Sequence, residues 1–347
     1  MELGVCGYGY TGSGALSSML KEFDGTSCLA GNYGYEFTLS YVTDGLEDLE
    51  FALCQNPSKG TRCDIAIYRF GLLINTLERG YNRFTGGQFR AMAESYIEDL
   101  TQVKFKAVRV FEYERSPYKI KRYERLVRGF LSRWLKNHKL PCRTFPLVDR
   151  YLSVYPENFL ERTRQFVSDI LTSSDAYKCL LLDQPFSVGN PLNSMRFFKD
   201  PRCIIVDRDP RDLYVMVKNV YGMNAMFIPS DTVEHFIEYY RRIHDDRLWK
   251  GSDKVLRFQF EDLIYKYEEA IESIKNFVGP VLGNHAKPKE FFKPEVSIAN
   301  TNVFGKFPED AEAIKQIEKE LPEFLYHFEE GNKSSDSNVD LNYFTYC

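Results

Sequence analysis

Residues 3–23 read LGVCGYGYTGSGALSSMLKEF, and this stretch decides the fold. Leu3 to Gly7 is a short apolar run ending in glycine, and from Ala15 onward Leu16, Met19, Leu20 and Phe23 recur at helical spacing. The pattern predicts strand, glycine-rich turn, helix. Glycines let backbone N–H groups approach an anion while the following helix presents its positive end, so the turn predicts a bound phosphate or sulfate. Gly7, Gly9 and Gly12 satisfy the G-x-G-x-x-G dinucleotide fingerprint, and the same residues fit a phosphate loop. A Mg-ATP loop needs Lys and Ser/Thr after its last glycine, and here Gly12 is followed by Ser13-Gly14-Ala15, which disfavours a kinase or ATPase. For a dinucleotide an acid should end the second strand; Glu36 and Asp44 are the residues at hand, and neither falls squarely in that place.

Working outward, Tyr35 to Tyr41 alternates as a second strand and Leu46 to Leu53 is helical. KCLLLD (178–183) and RCIIVD (202–207) are near-continuous apolar runs, as expected of strands buried on both faces of a parallel sheet. Lys254 to Phe258 is a weaker strand, followed by helices at Glu261 to Phe277 and Glu309 to His327. Helix-period segments dominate between about 61 and 175. The expected fold class is therefore α/β: one domain over 1–330, a parallel sheet flanked by helices from 1–60 and 176–330, a helical insertion at 61–175, and a polar tail over 331–347. Ligands in such sheets bind at the carboxyl ends of the strands.

Of the 347 residues 27% are charged and 44% hydrophobic, which excludes collagen-like, low-complexity and disordered classes. The eight cysteines form no C-x-x-C pair, so free thiols in a reducing compartment are expected rather than zinc or disulfides. No run approaches the ~18 apolar residues of a membrane span, and the first residues predict a strand rather than a signal peptide. A soluble cytoplasmic protein is expected. Net charge is −4, so any anion-binding surface must be local.

A second anion site is legible after the strand CIIVD, where Arg208-Asp209-Pro210-Arg211-Asp212 enters a helix. Asp209 suits a cap, Pro210 the first turn and Asp212 the helix dipole. Those roles leave Arg208 unexplained: at a strand end its planar guanidinium can grip a phosphate bidentately. Two anion sites at two strand ends suggest a nucleoside with phosphates at both ends.

These elements together resemble the PAPS-dependent sulfotransferase superfamily, whose members have a P-loop-kinase-like sheet and use 3′-phosphoadenosine 5′-phosphosulfate as donor. Gly9 to Ala15 (GYTGSGA) is similar to the family's 5′-phosphosulfate loop, and Phe198 to Asp212 to its strand and 3′-phosphate loop. Val255 to Leu263 (VLRFQFEDL), running on to Gly279, resembles the Y-E-D-L strand and helix, and Ser297 to Phe307 (SIANTNVFGKF) the C-terminal donor loop. The resemblance implies that Gly9, Thr11, Gly12, Ser13, Gly14 and Ala15 cradle the 5′-phosphosulfate, that Arg208 holds the 3′-phosphate, and that Asn302, Gly305 and Lys306 close over the donor. Two departures stand out. Gly12 occupies the place of the family's loop Lys or Arg, and Met216 that of a later phosphate-binding serine. Lys59, Lys218 and Lys306 are the lysines available to compensate.

Sulfuryl transfer is an in-line displacement that needs positioning, oxyanion stabilisation and one general base, with no obligatory metal. Asp183 ends a buried strand, where desolvation raises a carboxyl pKa toward a useful value, and Glu36 is the second candidate base. His138, His235, His244 and His327 lie in charged helical contexts and are expected to be solvated. Between Lys104 and Arg143 thirteen basic residues face three acidic ones, against an acidic remainder. Tyr123, Leu126, Val127, Phe130, Leu131, Trp134 and Leu135 place an apolar stripe on the same segment, predicting a helix that buries one face and displays arginines on the other. The expectation is a carbohydrate acceptor, anionic or lipid-linked, with peripheral membrane contact and no nucleic acid. The competing readings are an NAD(P)-dependent oxidoreductase on the 7–12 turn and a non-catalytic glycan- or nucleotide-binding relative.

Overall fold

The computed structural model describes residues 1–29, 36–57, 61–109, 122, 126, 129, 134, 147–172, 178–225 and 227–328. The chain divides into two compact units, Met1–Tyr41 with Leu171–Cys347, and Val42–Ile170. In chain order the strands are β1 (Glu2–Gly7), β2 (Thr26–Cys28), β3 (Val103–Ala107), β4 (Val148–Leu152), β5 (Cys179–Asp183), β6 (Pro201–Asp207) and β7 (Val255–Gln259).

The first unit is built on a five-stranded sheet of order β2-β5-β1-β6-β7. All its neighbouring pairs are parallel, and Gly4 of β1 lies between Leu182 of β5 and Cys203 of β6. The apolar strands β1, β5 and β6 thus occupy the middle, where burial on both faces removes the need for alternation. Leu16, Met19 and Leu20 of the helix Ser13–Leu20 pack on Leu3, Val5, Ile204, Val206, Phe258 and Leu263. Each such side chain contributes on the order of 1.5–3 kcal/mol by leaving water. A second apolar cluster joins Leu213, Val215 and Val217 to Phe236, Ile237, Ile314 and Ile317. The parallel sheet flanked by helices is the α/β class read from the sequence.

Three local readings are corrected. The second strand is Thr26–Cys28 rather than 35–41; in that segment Glu36 makes a single bridge to Asp183 and Thr38–Ser40 form a short 3₁₀ turn. The β-like alternation there reflected one-sided burial, which a turn-rich edge segment also produces. The final helix is only Ala311–Glu320, because Pro322 cannot continue it. His244 is buried, as described below.

The second unit holds the helices Thr61–Tyr81, Phe89–Leu100 and most of Phe159–Thr172, together with an antiparallel pair, β3–β4, that the sequence reading did not include. Its core stacks Tyr96 on Phe166, 4.5 Å between centroids, while the Tyr96 hydroxyl bonds Thr163 at 2.7 Å. Most of the basic segment 104–143 lies outside the described residues. Of its described members, Lys106 pairs with Asp149 at 2.7 Å and Arg109 with buried Asp64 at 3.2 Å. Leu126 and Trp134, on the stripe expected to be buried, are exposed. An amphipathic stripe says which face is apolar, not what covers it. Among the described residues no helix is long and apolar enough to cross a membrane.

Candidate anion-binding site

β1 runs into the turn 8–12, and the helix starts at Ser13 with no side-chain cap on its first turn. Gly12 has φ +98°, and a Cβ there would sit 2.4 Å from a ring carbon of Phe260. Gly9 has φ +88°, and a Cβ there would sit 2.6 Å from a ring carbon of Phe227. Both positions are therefore closed to other residues, whereas a Cβ on Gly14 would meet nothing within 4 Å. Among the predicted ligand groups, Thr11 is turned inward: its hydroxyl accepts the Tyr8 N–H at 3.1 Å and donates to the Val206 carbonyl at 2.6 Å. It ties the loop to β6. The Ala15 N–H is likewise committed, donating to the Gly12 carbonyl at 3.0 Å. Gly12, Ser13 and Gly14 are left to form the mouth of the turn.

Gln184 is a contributor the sequence reading missed. Its Oε1 accepts the Gly7 N–H at 3.2 Å and its Nε2 donates to Ser13 Oγ at 3.1 Å, so one amide spans both ends of the loop. The only signal in the sequence is a polar amide directly after the β5 run. Beneath the loop the Tyr8 ring stacks on His244 at 3.7 Å, and His244 on Tyr240 at 3.7 Å. His244 donates through Nδ1–H to the Tyr240 carbonyl, 2.8 Å away, and its Nε2 lies 3.3 Å from Asp207. Charged neighbours in sequence suggested solvent; the helical turn instead points this ring into the core.

At the carboxyl end of β6, Asp209 caps the helix Pro210–Met216 by accepting the Arg211 N–H at 2.8 Å. Arg208 is buried. Its Nη1 donates to the Tyr10 carbonyl and to the Tyr221 hydroxyl, both at 3.2 Å, and its Nη2 to the Asn300 carbonyl at 2.5 Å, while its Nε–H has no partner among the described residues. The guanidinium thus bridges the first loop and the 298–306 segment. In that segment Asn302 has φ +52°, and the N–H groups of Asn302, Val303 and Phe304 all donate to the Asp212 carboxylate at 2.7, 2.7 and 3.0 Å. Gly305 is exposed and Lys306 half-buried on the turn Phe304–Lys306. Of the compensating lysines, Lys218 is bound to Asp310, and Lys59 lies outside the described residues. Met216 is buried among apolar side chains.

The two candidate bases come together. Glu36 bridges Asp183 at the end of β5, and the Asp183 carbonyl accepts the Phe37 N–H at 2.8 Å. Burial, helped by the Glu36 charge, pushes the Asp183 carboxyl up to about 6. Around Arg208 the acids crowd: burial and the Asp209 charge push Glu261 up to about 8. Its Oε1 accepts the Asp209 N–H at 3.1 Å and its Oε2 is buried with no hydrogen-bond partner among the described residues. Burial and Asp209 also push Asp212 upward, against Arg208 and the N–H donors that favour its charged form.

No family model and no curated protein matches the chain. Among solved structures it is similar to the sulfotransferase domain of the olefin synthase from Synechococcus PCC 7002, at 12% identity over 94% of each chain and a TM-score of 0.38. A likeness that distant carries nothing about the reaction, which has to rest on the residues above.

Proposed function

We propose that the protein is a sulfotransferase that moves the sulfuryl group of PAPS to a hydroxyl, with a carbohydrate as acceptor. One observation carries this reading. The helix N-terminus after Gly12, which has no side-chain cap, and the guanidinium of Arg208 share a single loop, Arg208 bonding the Tyr10 carbonyl while its Nε–H has no partner among the described residues. A ligand with two anionic groups at the ends of a nucleoside suits that pair of donors. An NAD(P) oxidoreductase is less well supported: among the described residues β2 ends at Cys28 and is followed by Leu29, not an acid that could bind the ribose hydroxyls, and Glu36 bridges the end of β5 instead.

In this reading PAPS supplies the activated sulfuryl group as a substrate. Ser13, Gly14 and the helix N-terminus hold its 5′ end, and the free edge of Arg208 its 3′-phosphate. The acceptor oxygen attacks sulfur, the bond from sulfur to the 5′-phosphate oxygen breaks, and Asp183 takes the hydroxyl proton. Gln184, next to that base, fixes the loop it must work against. The carbohydrate assignment rests on the basic stretch 104–143 alone.

Calorimetric titration with 3′,5′-ADP, NAD and ATP tests the proposal, with 3′,5′-ADP expected to bind well ahead of the other two. Tight NAD binding with no response to 3′,5′-ADP would falsify it. Labelled PAPS with a panel of hydroxyl acceptors then separates an enzyme from a binding protein of the same fold, since only the former transfers label.

A further inference from the structure

We infer that Asp212 is a positioning residue for the donor: it holds the 300–304 segment in the shape that aims Arg208 at the ligand's 3′-phosphate. The inference rests on the donor assignment above. Asp212 is fully buried on the helix Pro210–Met216, one turn after Arg208. Three successive N–H groups, those of Asn302, Val303 and Phe304, converge on its two oxygens, and the left-handed backbone at Asn302 is what lets them point the same way. Two residues earlier the Asn300 carbonyl accepts Arg208 Nη2. The segment is therefore gripped at both ends, a carboxylate on its amides and a guanidinium on its carbonyl, by two side chains of one strand-to-helix junction. Thr301 between them is buried, bonding the Tyr265 hydroxyl at 2.6 Å.

The chemistry makes the carboxylate irreplaceable here. Its oxygens are acceptors only, whereas an amide in its place turns an N–H₂ toward at least one of the three donors. With the amides released, the Asn300 carbonyl drifts and Arg208 loses the bond that fixes one arm of its fork. The loss should fall on the 3′-phosphate more than on the 5′ end, which the first loop holds independently. Discrimination between 3′,5′-ADP and 5′-AMP is thus the readout that a general loss of stability leaves unmoved.

The experiment compares the full-length protein with Asp212→Asn and with the milder Tyr265→Phe, which loosens the same segment from its other side. Calorimetry measures both nucleotides, and amide hydrogen exchange follows residues 300–306. In Asp212→Asn the preference for 3′,5′-ADP over 5′-AMP should fall about tenfold and exchange at 302–304 should rise at least tenfold; in Tyr265→Phe both should move the same way by a few-fold. Should Asp212→Asn fail to fold, Tyr265→Phe decides. Unchanged nucleotide preference in a folded variant whose exchange has risen would overturn the positioning role, as would unchanged exchange. A wild-type protein that ignores 3′,5′-ADP overturns the donor assignment instead, and the exchange data still decide whether Asp212 holds the segment.

Discussion

Replacing Asp183 by Asn should cost the protein its activity and make it more stable at alkaline pH. The carboxyl is lifted from 3.8 to about 6, first by burial and next by Glu36. A group whose folded pKa lies above its unfolded one contributes stability that is complete below the unfolded value and lost as the pH rises through the folded value. At ~1.4 kcal/mol per pH unit, holding Asp183 ionised at pH 8 costs the fold up to ~3 kcal/mol, and Asp183→Asn should recover about 1–3 kcal/mol of it. In the proposed mechanism the same ionised carboxylate takes the acceptor proton, so turnover should rise between pH 5 and 7 as the ionised fraction goes from about a tenth to about nine tenths, then level off. Removing a positioned general base costs on the order of 10²–10⁴-fold in rate. Glu36→Gln removes the second cause of the raised pKa and should move the rising limb toward acid by less than one pH unit. Release of 3′,5′-ADP from PAPS across pH 5–9, and urea denaturation at pH 5 and pH 8, measure these effects. Full turnover in Asp183→Asn, or a variant no more stable than wild type at pH 8, would refute the reasoning.

Three other substitutions bear on the site. Arg208→Lys keeps the charge and loses the fork, so calorimetry should show 3′,5′-ADP binding weakened by about 1.5–3 kcal/mol, the worth of a charge-assisted hydrogen bond; an unchanged affinity removes Arg208 from the site. Gly12→Ala combines a left-handed backbone with a Cβ 2.4 Å from Phe260 and should destabilise by at least ~1–3 kcal/mol in urea melts, while Gly14→Ala, opening on free space, should stay within about 0.5 kcal/mol. Equal losses at the two glycines would contradict the turn geometry. Glu261→Gln should flatten the fall in stability between about pH 4.5 and 8, because over that window the fold holds a proton that the unfolded chain has released; a urea midpoint that tracks wild type from pH 5 to 8 would count against this.

Much of the arrangement was legible because it depends on local pattern. The runs LGVCG, CLLLD and CIIVD are continuous and apolar, which only central parallel strands tolerate, and they are β1, β5 and most of β6. Asp209 and Pro210 cap and start their helix through contacts two residues long. Residues whose role depends on a distant partner were not legible. Nothing near Thr11 in sequence says that its hydroxyl turns to Val206, 195 residues away, and nothing near Gln184 says that it reaches Gly7 and Ser13. His244 has charged neighbours along the chain and aromatic ones in space.

The sequence by itself determined the α/β class, the order of strand, glycine turn and helix, and the presence of Arg208 at a strand end, since each follows from periodicity, φ preference or capping within a few residues. Only the tertiary structure decided which of those groups are committed to internal partners. Folding spends Thr11, Ala15 and Lys218 on internal partners, sets Asp183 against Glu36, and joins Arg208 to Tyr10 and Asn300. A buried donor or acceptor must find a partner wherever the fold supplies one, and that partner is set by three-dimensional proximity that no local pattern encodes.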